Sequence, residues 1–130
     1  MVDSERLVAA ARDARERAIA PYSHFRVGTA LATTDGRIFT GCNVENASYG
    51  LTVCAERVAL LKALSEGARE FSAIAVVADT VSPTPPCGPC RQLLWEYCGD
   101  IPVTLASLEA ITGHHTVGAL LPFPFDGRLL

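Results

Sequence analysis

The chain lacks a surplus of positive charge: 11 Lys and Arg stand against 14 Asp and Glu in 130 residues, a formal net charge of −3. A surface that holds a phosphate backbone needs clustered cations, so a nucleic-acid partner is not expected. No apolar run approaches the roughly 20 residues that span a bilayer, and no membrane role is expected. Met1-Val2-Asp3-Ser4-Glu5-Arg6 has no basic start leading into an apolar block, so no secretory signal is read there. Internal repeats, low-complexity tracts and linker-like stretches are missing too, which makes a single domain over 1–130 the expected organisation. Even the cysteine count is not even. Five cysteines without an export signal read as reduced thiols or metal ligands in a cytoplasmic protein, not as a disulfide framework.

What is present is well punctuated, and an apolar fraction of 49% supplies material for a core. Ser4 to Ala20 carries an amphipathic helical pattern. Leu7, Ala11, Ala14 and Ala18 share one stripe, with Arg12–Glu16 and Asp13–Arg17 as i,i+4 pairs on the wet side. Asp3 or Ser4 caps its start and Pro21 stops it. Two β-like runs follow, Phe25 to Ala32 and Arg37 to Val44, joined at Asp35-Gly36, whose positive φ values suit a tight hairpin. Gly28, Ala30 and Ala32 mark a strand face that helices approach closely. Gly41 to Gly50 then breaks the strand pattern with amides, an acid and a phenol. Such a loop is either simply solvated or able to hydrogen-bond a hydroxylated substrate.

Val53 to Ser65 reads as a helix with Val53, Leu60, Leu61 and Leu64 inward and Gly67 as its stop. Phe71 to Ala78 is a buried strand and Thr80 to Pro86 a proline-rich loop. Cys87 to Tyr97 is a second such helix, with Leu93, Leu94 and Tyr97 inward and Gly99 beyond its end. Pro102 to Ala106 is another short strand. Leu108 to Gly118 gives mixed signals, and Val117 to Leu121 fits one helical turn. Helix alternating with strand argues for an α/β layer structure.

Chemistry concentrates in Thr52-Val53-Cys54-Ala55-Glu56-Arg57 and Pro86-Cys87-Gly88-Pro89-Cys90-Arg91-Gln92, each the opening turn of a helix. Together they offer three thiolates and a carboxylate. Zinc suits thiolates, and three protein ligands leave a fourth position for water, the mark of a catalytic site. Glu56 follows the first thiol by two residues, close enough to carry protons without binding the metal; this is the pattern of zinc-dependent nucleobase deaminases. Two other readings stand beside it. A structural zinc would need a fourth ligand from Cys42, Cys98, His24, His114 or His115, none at a finger-like spacing. A thioredoxin-like redox pair accounts for Cys87-Gly88-Pro89-Cys90 but not for Cys54-Ala55-Glu56. Three thiolates also leave the metal centre with a net charge of about −1, which weakens a Lewis acid. Helix N-termini offset part of that charge. Arg57, three residues past Cys54, is either a donor to the thiolates or a plain surface arginine.

From Pro21 to Phe125 the chain resembles the short, homotetrameric-type cytidine deaminases. The resemblance is carried by Pro21-Tyr22-Ser23-His24-Phe25-Arg26-Val27-Gly28, by Gly41 to Gly50, by Cys54-Ala55-Glu56-Arg57 and by Pro86 to Gln92. It implies a three-layer α/β/α fold around a five-stranded mixed sheet, and a tetramer with shared active sites. It implies one zinc on Cys54, Cys87 and Cys90, with Glu56 as proton shuttle. Asn43 and Glu45 would hold the ribose 3′-hydroxyl, Phe25 would stack near the pyrimidine, and the Ala55 N–H would reach its 2-oxo group. Ala47 and Tyr49 would lie near the sugar, and Phe125 would close over the base across a subunit boundary. The end departs from the family pattern: Gly118-Ala119 replaces a usual acidic residue, and Phe123 competes with Phe125 for the closing role. The implied reaction converts cytidine and 2′-deoxycytidine to the uridine nucleosides and ammonia, in pyrimidine salvage. The rivals are a blasticidin-type antibiotic deaminase, against which Asn43-Val44-Glu45 argues, a nucleic-acid-editing deaminase, and a zinc-stabilised binding module.

Overall fold

A computed structural model describes residues 2–130. Helix α1 (Ser4–Arg15) opens with the Asp3 carboxylate accepting the Arg6 N–H at 2.8 Å. It stops short of the expected Ala20. The backbone beyond it pairs elsewhere: Ile19 N–H donates to Asn43 O and Glu45 N–H donates to Ile19 O. Of the two expected ion pairs, Asp13–Arg17 forms at 3.1 Å. Arg12–Glu16 does not, because Arg12 Nε donates to Ser107 O while Glu16 meets Arg15.

Strands β1 (Val27–Thr33) and β2 (Ile38–Cys42) form the expected antiparallel hairpin. Its turn is wider than a two-residue one. Thr33 N–H donates to Arg37 O across Thr34-Asp35-Gly36, and only Gly36 takes positive φ, at 90°. Helix α2 (Ala55–Ser65), strand β3 (Phe71–Ala78), helix α3 (Gly88–Cys98), strand β4 (Pro102–Ala106), strand β5 (Ile111–Thr116) and the short α4 (Val117–Leu120) complete the element order. Sheet order is β2-β1-β3-β4-β5. Every pairing is antiparallel except β3 with β4, whose parallel register (Ile74 opposite Val103) requires a crossover, supplied by α3.

The sequence pattern does not mark β5. Ile-Thr-Gly-His-His-Thr has no clean alternation because the strand lies at the sheet edge, with both histidines exposed. Val53 is likewise not helical: it pairs with Val44, and Cys54 caps the helix instead. Leu61 and Tyr97, expected inward, are exposed. The buried stripe of α2 is instead Ala55, Glu56, Ala59, Leu60 and Ala63. Small residues take it because the helix runs tight against β2, where a Cβ on Gly41 would lie 2.5 Å from Ala55 O.

Two cores result, one on each face of the sheet. Leu7, Val8 and Ala11 of α1 pack on Ala30, Ala32, Ala75 and Val77. On the other face Ala59, Leu60 and Leu94 of α2 and α3 meet Val27, Leu31, Ile74 and Val103. Helices thus cover both faces, as the resemblance implies. Beyond α4 the chain returns across α3: Gln92 Nε2 donates to Phe125 O at 2.7 Å, and Trp95 Nε1 donates to Asp126 Oδ2 at 2.9 Å. No helix among the described residues is long and apolar enough to cross a membrane.

The closest approach of the α1 layer falls on Gly28, where a Cβ would sit 2.0 Å from Ala11 O and 2.6 Å from Arg15 N. Both are backbone atoms, so the layer itself has to move. Gly28→Ala is expected to destabilise the protein by about 3 kcal/mol, the upper end of overpacking costs, with a clear fall in Tm on thermal denaturation.

Candidate active site

Two helix starts face one another where the amino end of β1 lies beside the carboxyl end of β3. Cys54 caps α2 and Cys87 caps α3, each in an extended conformation that turns the chain into the helix. Cys90 falls in the first turn of α3. The first intrahelical bonds run from Val58 N–H to Cys54 O and from Arg91 N–H to Cys87 O. The N–H groups ahead of them have no carbonyl in their own helix and favour negative charge. Among the described residues, one group of metal-ligating side chains is close-set, namely Cys54, Cys87 and Cys90, with their sulfurs all within 4.8 Å of one another. No fourth His, Cys, Asp or Glu among the described residues joins it.

The spacing suits zinc. Tetrahedral coordination with Zn–S bonds near 2.3 Å places sulfurs about 3.8 Å apart; Cys54 and Cys87 stand at 3.7 Å and Cys87 and Cys90 at 3.4 Å. Mutual hydrogen bonding splits the thiols' acidities. Cys54 loses its proton more readily than a free thiol, through hydrogen bonds from its neighbours and the charge of Arg57, whereas Cys90 holds its proton more tightly. Arg57 Nε is buried and has no hydrogen-bond partner among the described residues. A buried guanidinium nitrogen left unpaired is costly, and an anionic sulfur cluster is the partner it lacks.

Glu56, the second residue of α2, is only 5% exposed. Its carboxyl accepts a hydrogen bond from Thr29 Oγ1 at 3.3 Å. Burial chiefly, and the neighbouring Cys54, push its pKa up to about 7. Phe25, Val27, Asn43, Cys54, Ala55, Glu56, Thr84 and Cys87 line a cavity of about 160 Å³. That is below the 300–1,000 Å³ of drug-sized pockets and matches a single ring. Thr84 and Pro85 came from what the sequence showed only as a proline-rich loop.

Of the remaining predicted substrate contacts only Asn43 shares that cavity, and Glu45, Ala47, Tyr49 and Phe125 are not in its lining. Asn43 is buried, with Oδ1 accepting the Val27 N–H at 2.8 Å and Nδ2 donating to Phe25 O at 2.7 Å; one amide hydrogen is left over. Glu45 lines a second cavity, of about 380 Å³, with Tyr22, Ser23, Tyr49 and Thr52. Its carboxylate accepts the Tyr22 and Ser23 N–H groups and the Ser23 hydroxyl, which holds the turn before β1. Tyr49 stacks edge-on against Tyr22 at 6.1 Å. Ala47 is exposed, and Phe125 lies on α3, away from the thiols' cavity in this single chain. Cys98 is a half-buried thiol outside the cluster, pushed up to about 12 by desolvation.

Fold and donor set together define a zinc-dependent enzyme of α/β architecture with an acid beside the metal position. Comparison with known proteins narrows the class. The family model described as cytidine and deoxycytidylate deaminase zinc-binding region matches residues 1–105. A cytidine deaminase of Halalkalibacterium halodurans is 54% identical over 98% of this chain and 97% of its own, and one of Sporosarcina psychrophila 51% over 96% and 93%. A crystal structure of cytidine deaminase from Burkholderia pseudomallei superposes with a TM-score of 0.92 at 50% identity, over 95% of this chain and 100% of that one. The chain belongs to the cytidine and deoxycytidylate deaminase family of zinc-dependent hydrolytic enzymes.

The raised acid predicts a pH signature for the metal-free protein. Glu56 keeps its proton to about pH 7 when folded but only to its ordinary value of 4.5 when unfolded. Stability from this group is therefore full below pH 4.5 and is lost as pH rises toward 7, by on the order of 3 kcal/mol. Denaturant unfolding of the metal-free protein across that window is expected to show the decline, and Glu56→Gln to flatten it.

Proposed function

We propose that the protein hydrolyses cytidine and 2′-deoxycytidine to uridine and 2′-deoxyuridine with release of ammonia, as a single domain over residues 1–130. The observation that carries the reading is the Glu56 carboxyl, buried beside the three sulfurs in a ring-sized cavity. The relatives' shared substrate supports the nucleoside.

Cys54, Cys87 and Cys90 would hold the zinc, which supplies a Lewis acid able to make water a nucleophile near neutral pH. Glu56 takes a proton from the attacking water and passes it to pyrimidine N3, then takes the remaining proton of the hydroxyl added at C4 and gives it to the departing amino group, so that water and cytidine become uridine and ammonia. A carboxyl poised near neutrality can both accept and give. Phe25 stacks on the ring and the Ala55 N–H, free at the helix start, reaches the 2-oxo group. Asn43 uses its spare amide hydrogen on the ribose 3′-hydroxyl. Glu45 has about four acceptor positions and three are taken, so one remains for the same hydroxyl. Arg57 balances the sulfur charge.

Ala47, Tyr49 and Phe125 complete the sugar and base contacts in a homotetramer with shared sites. The exposure of Tyr49 (75%) and Phe125 (58%) supports a second subunit against them. Gln92 anchors the backbone at Phe125, which supports that ring over the fully exposed Phe123 as the closing group. Five free cysteines accord with a cytoplasmic role in pyrimidine salvage.

An ammonia-release assay with cytidine, with and without a chelator, tests the whole reading. Glu56→Gln is expected to keep zinc and nucleoside but lose at least about 10²–10⁴-fold in kcat; near-normal turnover would remove Glu56 from the chemistry. Arg57→Ala is expected to release zinc at a lower chelator concentration than the unaltered protein. Equal retention would make Arg57 a mere packing residue.

A further inference from the structure

Strand β1 presents two faces, and one residue breaks the pattern of its own face. Gly28, Ala30 and Ala32 turn to α1, while Val27, Thr29 and Leu31 turn to α2. Val27 and Leu31 belong to the apolar core on that side; Thr29 between them carries a hydroxyl and is fully buried. A threonine and a valine are close in shape, and packing alone favours the valine. A buried hydroxyl costs free energy unless it is hydrogen-bonded. The bond it makes is to Glu56 Oε1, at 3.3 Å.

The position is well suited to a fixed donor. β1 lies inside the sheet, paired with β2 on one side and β3 on the other, so its backbone is held by two ladders. Threonine is stiff at χ1 because it is branched at Cβ. Glu56 has three rotatable bonds and sits at a helix start; its own backbone N–H and the Cys90 thiol also reach the carboxyl, and Thr29 is the one donor among these that comes from the sheet. A rigid donor on a central strand restricts a flexible acid on the helix that crosses it.

We propose that Thr29 is a positioning residue for the reaction: its hydroxyl aims the Glu56 carboxyl into the thiol-lined cavity and keeps one oxygen turned toward the sheet. This rests on Glu56 being the proton carrier. One oxygen is tethered and the other is left to work on water and ring, and loss of the tether lets the carboxyl sample unproductive rotamers. Substrate binding does not depend on it, since Phe25, Asn43 and Ala55 are untouched by the change.

The test uses purified, zinc-loaded protein and four variants. Thr29→Val and Thr29→Ala remove the hydroxyl, one filling the space and one not; Thr29→Ser restores it; Glu56→Gln is the reference. Thr29→Val and Thr29→Ala are expected to lower kcat for cytidine about ten- to a hundredfold, with KM within about threefold of the unaltered enzyme. Zinc content should stay the same and circular dichroism should show a folded protein at the assay temperature. Thr29→Ser should recover most of kcat. If Thr29→Val fails to fold, the contrast between Thr29→Ala and Thr29→Ser decides. Unchanged kcat in a variant without the hydroxyl overturns the proposal, and so does a loss that Thr29→Ser does not repair. Retained turnover in Glu56→Gln is a different result, since it sinks the proton-carrier reading itself.

Discussion

Three sulfurs within 4.8 Å repel one another once they are anionic, and the molecule is built around meeting that cost. Two helices begin at the same spot, so unpaired N–H groups from both face the cluster. A buried guanidinium nitrogen stands without a partner on the same helix start. The sheet brings this about: the single parallel pairing, β3 with β4, sends α3 back across the face that α2 already covers. Without the crossover Cys87 and Cys90 would be far from Cys54. The fold is a means of converging two helix N-termini.

Close packing sets the precision of that arrangement. Alanines form most of the buried stripe of α2, and Gly41 lets its first turn rest on β2. On the opposite face Gly28 does the same for α1. A sheet clamped between two tight layers gives Glu56 a fixed, dry setting, and dryness is what raises its proton affinity. Small residues in the layers and an acid of tuned strength are therefore parts of one design.

Much of this is legible in the chain itself, for local reasons. Cys-x-x-Cys and Cys-Ala-Glu lie within single helical turns, so spacing alone places those groups beside one another. The hairpin, β3 and β4 announce themselves through turn residues and β-branched runs. What sequence could not give is set by distant partners. α1 ends early because Ile19 pairs with the chain after β2, and β5 exists because β4 offers it an edge. Leu61 looks inward by hydrophobicity, yet the close packing of α2 gives its buried stripe largely to alanine; Tyr97 is exposed on α3, whose buried residues are Cys90 and Leu94. Glu45 reads as a substrate ligand, while in the fold it also holds the turn at Tyr22 and Ser23. Thr29 passes as an ordinary strand residue in the sequence, since threonine favours strands, and its bond to Glu56 appears only once the helix above it is in place.

The hydrogen bond between Trp95 and Asp126 has a practical side. Trp95 is the chain's one indole, and its ring nitrogen is tied to the returning tail rather than to the core. Its emission is thus a native optical probe of whether the last residues are seated on α3, readable in unlabelled protein without touching the chemistry at the other end of that helix.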